Sequence, residues 1–378
     1  MKAEIKTAII MAIVLAAGIG GASAYFSSLE EPMLSNTQNQ LENTQKHAAS
    51  SNMPTISIID KSRFKKAPDL VGITGYINTS PEELKATMKD KVVLYDIWTY
   101  SCINCIRTLP YINAWNVKYA DKGLLIIGIH SPEFEFEKDI NNVKTAVENY
   151  GIKHPVVLDN DMKTWKAFEN RYWPRKYIAD SEGYIRYDHI GEGGYAETEK
   201  IIQQLLEERS QLLGVNVVAA QPLVDLEEHK FLMSQTPELY FGYKFAFGRN
   251  QLGNSEGFNP DQIVAYSIPD KLQEDYFYLE GQWHIFDDRM KLVSENGKIV
   301  LPYFAKSVNI VAAGQTELQI LLDGNPITPE DAGTDMQGEL VHISDERLYN
   351  IISTREAASH TLTIIAKPGF EIYTFTFG

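Results

Sequence analysis

The chain has 378 residues, 44% of them apolar and 22% charged, which is room for two globular domains of ordinary composition. Its formal net charge of −15 argues against nucleic acid and anionic membrane surfaces as partners. Only two cysteines are present, and the eight histidines show no H-x3–5-H spacing, so a structural zinc site lacks its other ligands.

Residues 1–26 read as a signal peptide or membrane anchor. Lys2 and Lys6 precede an uncharged run from Thr7 to Phe26, and Ala22-Ser23-Ala24 is a small-residue cleavage site. The run is also long enough to span a bilayer if uncut. Either way the rest of the chain is exported, which accords with the lack of further cysteines to mispair in an oxidising compartment. Residues 27–66, rich in Ser, Asn, Gln and Lys, read as a flexible linker, in which Thr55–Ile59 is expected to pair weakly with the domain edge.

From 67 to 213 apolar and polar segments alternate as strands and helices. Val71–Ile77 reads as a strand, and Ser80-Pro81-Glu82-Glu83 as a helix start with a capping Ser, an early Pro and first-turn acids. Val92–Trp98 is a β-branched, apolar run suited to a buried strand. Gly123–Ile129 and His154–Leu158 are further strands; Phe136–Tyr150, Asn160–Asn170 and Glu197–Leu213 are helices. Lys176–Ala179 and Tyr184–Ile190 form a hairpin about Asp180-Ser181-Glu182-Gly183. This alternation predicts an α/β sheet with both faces covered.

The chemistry concentrates in Val92–Pro110. The strand ends in the polar turn Thr99-Tyr100-Ser101, then Cys102-Ile103-Asn104-Cys105, then helical sequence. Cys102 at a helix N-terminus faces free backbone N–H groups and the positive end of the dipole, which favours its thiolate. Cys105, one turn on, points inward and can attack a mixed disulfide formed at Cys102. Asp96 sits in the apolar strand, six residues before Cys102. A carboxylate there is costly unless it works or is paired; it is placed to relay a proton to or from Cys105.

Residues 214–233 read as a connector. From 234 to 378 the period becomes two: Lys298–Phe304, Ser307–Ala313, Glu317–Asp323, Arg347–Ser353, His360–Lys367 and Glu371–Phe377 are short strands separated by turns, the pattern of an all-β sandwich. This region has no cysteine and no Ser/His/Asp or metal constellation, so it is expected to contribute recognition or stability and to fold independently of the first. Tyr276, Tyr278, Trp283 and Tyr303 are candidates to stack on sugar rings or to fill the sandwich core.

D-x-W-x-x-x-C-x-x-C, with Asp96, Trp98, Cys102 and Cys105 in register, resembles the thioredoxin superfamily. The string Trp98–Ile112 is similar to DipZ-type thiol:disulfide interchange proteins, with Ser101 where most thioredoxins carry Trp, and the insertion between Ile129 and Pro155 resembles the TlpA-like branch. The likeness continues through His130-Ser131-Pro132-Glu133-Phe134, Tyr172-Trp173-Pro174, Thr236–Tyr243 and the ending Tyr373–Gly378. It implies a thioredoxin-like domain followed by a jelly roll of carbohydrate-binding-module type. It further implies catalytic Cys102, Cys105 and Asp96, with Trp98, Trp173 and a cis Pro174 at the substrate. Trp173's backbone would hold a substrate chain as an added strand. His130, Glu133 and Glu135 are placed to approach this site. The redox-active disulfide Cys102–Cys105 replaces any cofactor or metal. The implied partners are protein thiols and disulfides, a membrane thiol reductase of CcdA type as electron donor, and a glycan at the C-terminal region. The rival readings are a cell-surface glycan- or protein-binding protein with a vestigial redox domain, and a thiol peroxidase, whose motif wants Pro where Tyr95 stands.

Overall fold

The computed structural model describes residues 60–215, 222–227 and 235–378. The readings for 1–26 and Thr55–Ile59, and parts of the linker and connector, lie outside the described residues.

In the first region the elements are β1 (Gly75–Ile77), α1 (Pro81–Thr87), β2 (Val92–Trp98), α2 (Ile103–Tyr119), β3 (Leu124–His130), α3 (Ile140–Asn149), β4 (Val156–Leu158), α4 (Lys163–Ala167), β5 (Arg175–Ala179), β6 (Ile185–Ile190) and α5 (Tyr195–Leu213). They form one six-stranded sheet in the order β1-β4-β3-β2-β5-β6. β2, β3 and β4 are parallel; β5 runs antiparallel to β2, and β1 to β4. Every residue of β2 and β3 is buried, because helices cover both faces. Val92 and Leu94 pack with Ile112 and Trp115 of α2 and Ile202 and Leu206 of α5. Val93, Tyr95 and Ile97 face the other way, onto Leu84 of α1 and Phe168. This is the α/β sheet with covered faces that the alternation predicts, and the thioredoxin-like domain that the resemblance implies.

Boundaries differ for local reasons. The segment Phe136–Tyr150 is not one helix: a short 3-10 turn, Glu135–Lys138, stops at Asp139, whose carboxylate accepts from the Asn141 N–H at 2.8 Å and starts α3 afresh. The strand from Val71 is paired only at β1, and α4 covers only part of Asn160–Asn170. No helix among the described residues is long and apolar enough to cross a membrane.

The second region is all-antiparallel. Its main strands are β7 (Leu239–Tyr240), β8 (Ile263–Tyr266), β9 (Tyr278–Ile285), β10 (Met290–Leu292), β11 (Gly297–Ala313), β12 (Thr316–Leu322), β13 (Asn325–Pro326), β14 (Met336–Gln337), β15 (Leu340–Ile343), β16 (Arg347–Ala366) and β17 (Glu371–Phe377); a short helix, α6 (Tyr243–Ala246), follows β7. The two runs predicted around Ala305 are one strand, and so are the two predicted around Arg355. β11 and β16 are long strands bent at bulges, where Lys306 on one side and residues 354–357 on the other drop out of register. β9 pairs β10, β10 pairs β17, β17 pairs β11 and β11 pairs β9, so four strands close a ring around the core. Trp283 and Tyr303 belong to the core of this region and Tyr278 is buried as well, all 2% exposed or less, and are therefore unavailable to stack on a sugar; Tyr276 alone of the four is half-buried.

The two regions share an apolar cluster. Tyr100, Phe134 and Phe136 of the first pack with Tyr240, Phe245, Val311 and Tyr373 of the second. Phe136 and Tyr373 meet edge-on with ring centroids 4.8 Å apart. The seam is an apolar cluster in its own right, which the independent folding expected of each region does not anticipate.

Candidate active site

β2 carries the chain to the edge of the sheet, and the turn Thr99–Ser101 delivers it to α2. Cys102 is the N-cap of α2: its sulfur accepts from the Cys105 N–H at 3.4 Å. Cys102 is half-buried and Cys105 is 1% exposed; both are free thiols. This is the division expected of an attacking and a resolving sulfur. Burial pushes the Cys105 thiol well up, the neighbouring Cys102 sulfur adds to this, and the charge of Asp96 adds further. Cys105 therefore keeps its proton unless a base takes it.

Asp96 lies close enough for its charge to act on the Cys105 thiol. It is 2% exposed, and burial raises its carboxyl to about 6 against the partial opposition of Lys176. Its Oδ1 has no hydrogen-bond partner among the described residues. Lys176, which the sequence reading placed in a strand without a role, stands directly across the β2–β5 ladder from Asp96. It is fully buried, and its ammonium donates to the Gly191 carbonyl at 3.1 Å. Burial lowers its pKa, opposed by the charges of Asp96, Cys105 and Glu192. A buried amine opposite a buried acid sets the local field in which Cys105 titrates. The signal available in sequence was a lysine at the second position after Pro174 in an apolar strand, legible only once that strand is known to be wholly covered.

The turn before Cys102 is held from behind. Ser101 donates to the buried Glu137 at 2.5 Å, and the backbone N–H groups of Glu133 and Phe134 donate to the other Glu137 oxygen at 2.6 and 3.0 Å. Tyr100 donates to the Glu346 carbonyl of the β region at 3.2 Å and stacks on His130. His130 accepts or donates at Thr99 Oγ1, 3.3 Å away, and burial depresses its pKa to about 3, so the ring is neutral. Glu133 reaches the seam, where its carboxylate accepts from Tyr240 at 2.8 Å. Glu135 is exposed and pairs with Lys138. Glu137, not Glu133 or Glu135, is thus the acid that touches the active-site turn.

Trp98 is 1% exposed and edge-on to His130 with centroids 5.4 Å apart. It forms the wall beneath the cysteines and lies out of reach of a substrate chain, because β2 is covered to its last residue. Trp173–Pro174 is a cis peptide. Trp173 is half-buried, tilted at 39° against Trp165 with ring centroids 4.2 Å apart, and anchored by its indole N–H to the Ser131 carbonyl at 2.9 Å. The Pro174 carbonyl accepts from Gly191, whereas the backbone N–H and C=O of Trp173 make no backbone hydrogen bond among the described residues. Those two groups are available to an added strand.

Comparison with known proteins agrees with this geometry. Residues 48–206 match the Redoxin family, and residues 236–378 match the family described as thioredoxin like C-terminal domain. The DipZ protein of Mycobacterium tuberculosis is 36% identical over 315 residues, covering 82% of this chain and 43% of DipZ. The chain thus spans under half the length of that relative. The thiol-disulfide oxidoreductase YkuV of Bacillus subtilis is 30% identical over 143 residues, 37% of this chain and 94% of YkuV. The solution structure of a thioredoxin-like protein in its oxidized form is 29% identical and covers 38% of this chain and 97% of that one, with a TM-score of 0.35.

Proposed function

The chain belongs to the thioredoxin-like thiol-disulfide oxidoreductases, and from that premise we propose that it exchanges two electrons with disulfides and thiols of exported proteins through Cys102 and Cys105. The observation that carries the reading is the half-exposed Cys102 capping α2, with Cys105 shielded behind it and Asp96 beneath.

In the reductive direction the Cys102 thiolate attacks one sulfur of a substrate disulfide. The new S–S bond forms as the substrate's own bond breaks and its first thiolate leaves. Asp96, ionised above pH 6 or so, takes the Cys105 proton. The Cys105 thiolate then attacks Cys102 Sγ, closing the Cys102–Cys105 disulfide and releasing the second substrate thiol. Two electrons have passed to the substrate, and the disulfide is the only redox group required. The substrate chain lies against Pro174, its backbone bonded to the free N–H and C=O of Trp173.

A membrane thiol reductase of CcdA type would return the electrons, and an export signal or anchor in residues 1–26 would place the chain on its side of the membrane. The rival reading of a glycan-binding surface protein with a vestigial redox domain loses three of its four stacking candidates to the β core. Cys105→Ser tests the proposal. It removes the resolving thiol and leaves the attacking one, so substrates should accumulate as mixed disulfides on Cys102, visible on non-reducing gels and released by dithiothreitol. Absence of any adduct, with the variant folded and Cys102 alkylatable, would sink the proposal.

A further inference from the structure

The first two turns of α2 present Ile103, Ile106 and Arg107 on one side, immediately after Cys102. Facing them are Lys306, Ser307 and Asn309 of β11 and Arg347, Leu348 and Asn350 of β16, with Asp335 at the side. Between the two walls runs an open groove of about 500 Å³. The β region therefore supplies half of a cleft whose other half begins one residue from the attacking sulfur.

Its chemistry is distinctive for a chain of net charge −15. Three cationic side chains, Arg107, Lys306 and Arg347, line it with one acidic side chain, Asp335, and with Gly378 close against Arg107. Arg347 is tied to Asp335 at 2.8 Å, and Arg107 uses Nη1 on Glu192 at 3.3 Å. Lys306 is exposed and makes no ion pair among the described residues. It is also the residue that drops out of register at the β11 bulge, the device by which a strand re-aims a side chain. The lining is mixed: Asn350 donates to Asn309 at 2.9 Å, with Ser307 and Ser353 beside them, among the apolar Ile103, Ile106, Tyr150 and Leu348. Lys306, exposed and outside any ion pair among the described residues, gives such a mixed surface a preference for a peptide that carries carboxylates beside its apolar residues.

We propose that this groove receives the stretch of a protein substrate next to its reacting cysteine, and that it favours stretches carrying Asp or Glu. The inference rests on the reading of Cys102 as the attacking thiol. The test uses the full chain, reduced, and two synthetic peptide disulfides identical except for two Glu or two Lys residues beside the cysteine. The Glu peptide should show a KM lower by about three-fold or more at low salt, the difference shrinking at high ionic strength. Lys306→Glu should abolish or invert the preference, with Lys306→Gln intermediate, each variant's fold verified by its far-UV dichroism and melting. Equal KM values for the two peptides on the unmodified chain, or a preference untouched by folded Lys306→Glu, would overturn the groove. Failure of the unmodified chain to reduce even an uncharged small disulfide would instead overturn the oxidoreductase reading beneath it.

Discussion

Replacing Asp96 by Asn separates what its carboxylate costs the fold from what it does for Cys105. Burial moves this acid from 3.8 to about 6, which corresponds to roughly 3 kcal/mol. Between those two pH values the folded chain holds a proton that the unfolded chain has released. Stability therefore falls as pH rises through that window, and the full cost stands at pH 7.5. Asn removes that cost but leaves the Lys176 ammonium without the charge across the ladder, which returns part of it. Burial outweighs Lys176 at Asp96, so the carboxylate's removal wins. Asp96→Asn should be more stable by about 1–3 kcal/mol at pH 7.5 and show little gain at pH 4. Urea unfolding at both values measures this. In the same variant the second step, closure of Cys102–Cys105, should slow at neutral pH and recover as hydroxide takes the proton. A variant destabilised equally at both pH values, or resolving mixed disulfides at the original rate, would refute the assignment of a stressed, proton-accepting Asp96.

Alkylation of the reduced protein should label the half-buried Cys102 well before the 1%-exposed Cys105, read by peptide mass; preferential labelling of Cys105 would reverse their roles. Glu137→Gln turns an amide N–H2 toward donors that now meet a carboxylate, so a loss of about 1–3 kcal/mol is expected in denaturant melts. Ending the chain at Leu213 uncovers Tyr100, Phe134 and Phe136, at roughly 1.5–3 kcal/mol each. That is a large share of a typical domain's stability, so the shortened chain should melt at lower temperature and bind a hydrophobic dye. A melting curve unchanged from that of the full chain would show the seam to be energetically idle.

The extent to which all this was legible in the sequence follows the range of the interactions. β2 was readable to the residue, because an unbroken β-branched run is a local signal; Cys102 was placed at a helix N-terminus, but helical sequence was read only from after Cys105, while α2 begins at Ile103. The active-site pair and Asp96 followed from them. Lys306 and Arg355 broke the period of β11 and β16, and each long strand read as two because a bulge mimics a turn. β7 to β10 and β13 to β15 were missed, since most are runs of two to four residues, too short to show a period of their own. Lys176 and Glu137 were missed for a different reason. Each is a charged residue whose meaning comes from a partner 80 or 36 positions away, Asp96 in one case and Ser101 in the other. The Tyr100–Glu346 contact, spanning 246 positions, is the extreme of this.

The central claim is that Cys102 and Cys105 form one reversible two-electron couple. Equilibrating the full chain in thiol–disulfide buffers of graded potential, quenching with an alkylating reagent and counting free thiols by mass measures it directly. The account predicts that both thiols disappear together in a single transition, with a tenfold change in the dithiol-to-disulfide ratio for every ~30 mV. Thiols that stay alkylatable at every potential, or that pair only between chains, would contradict it.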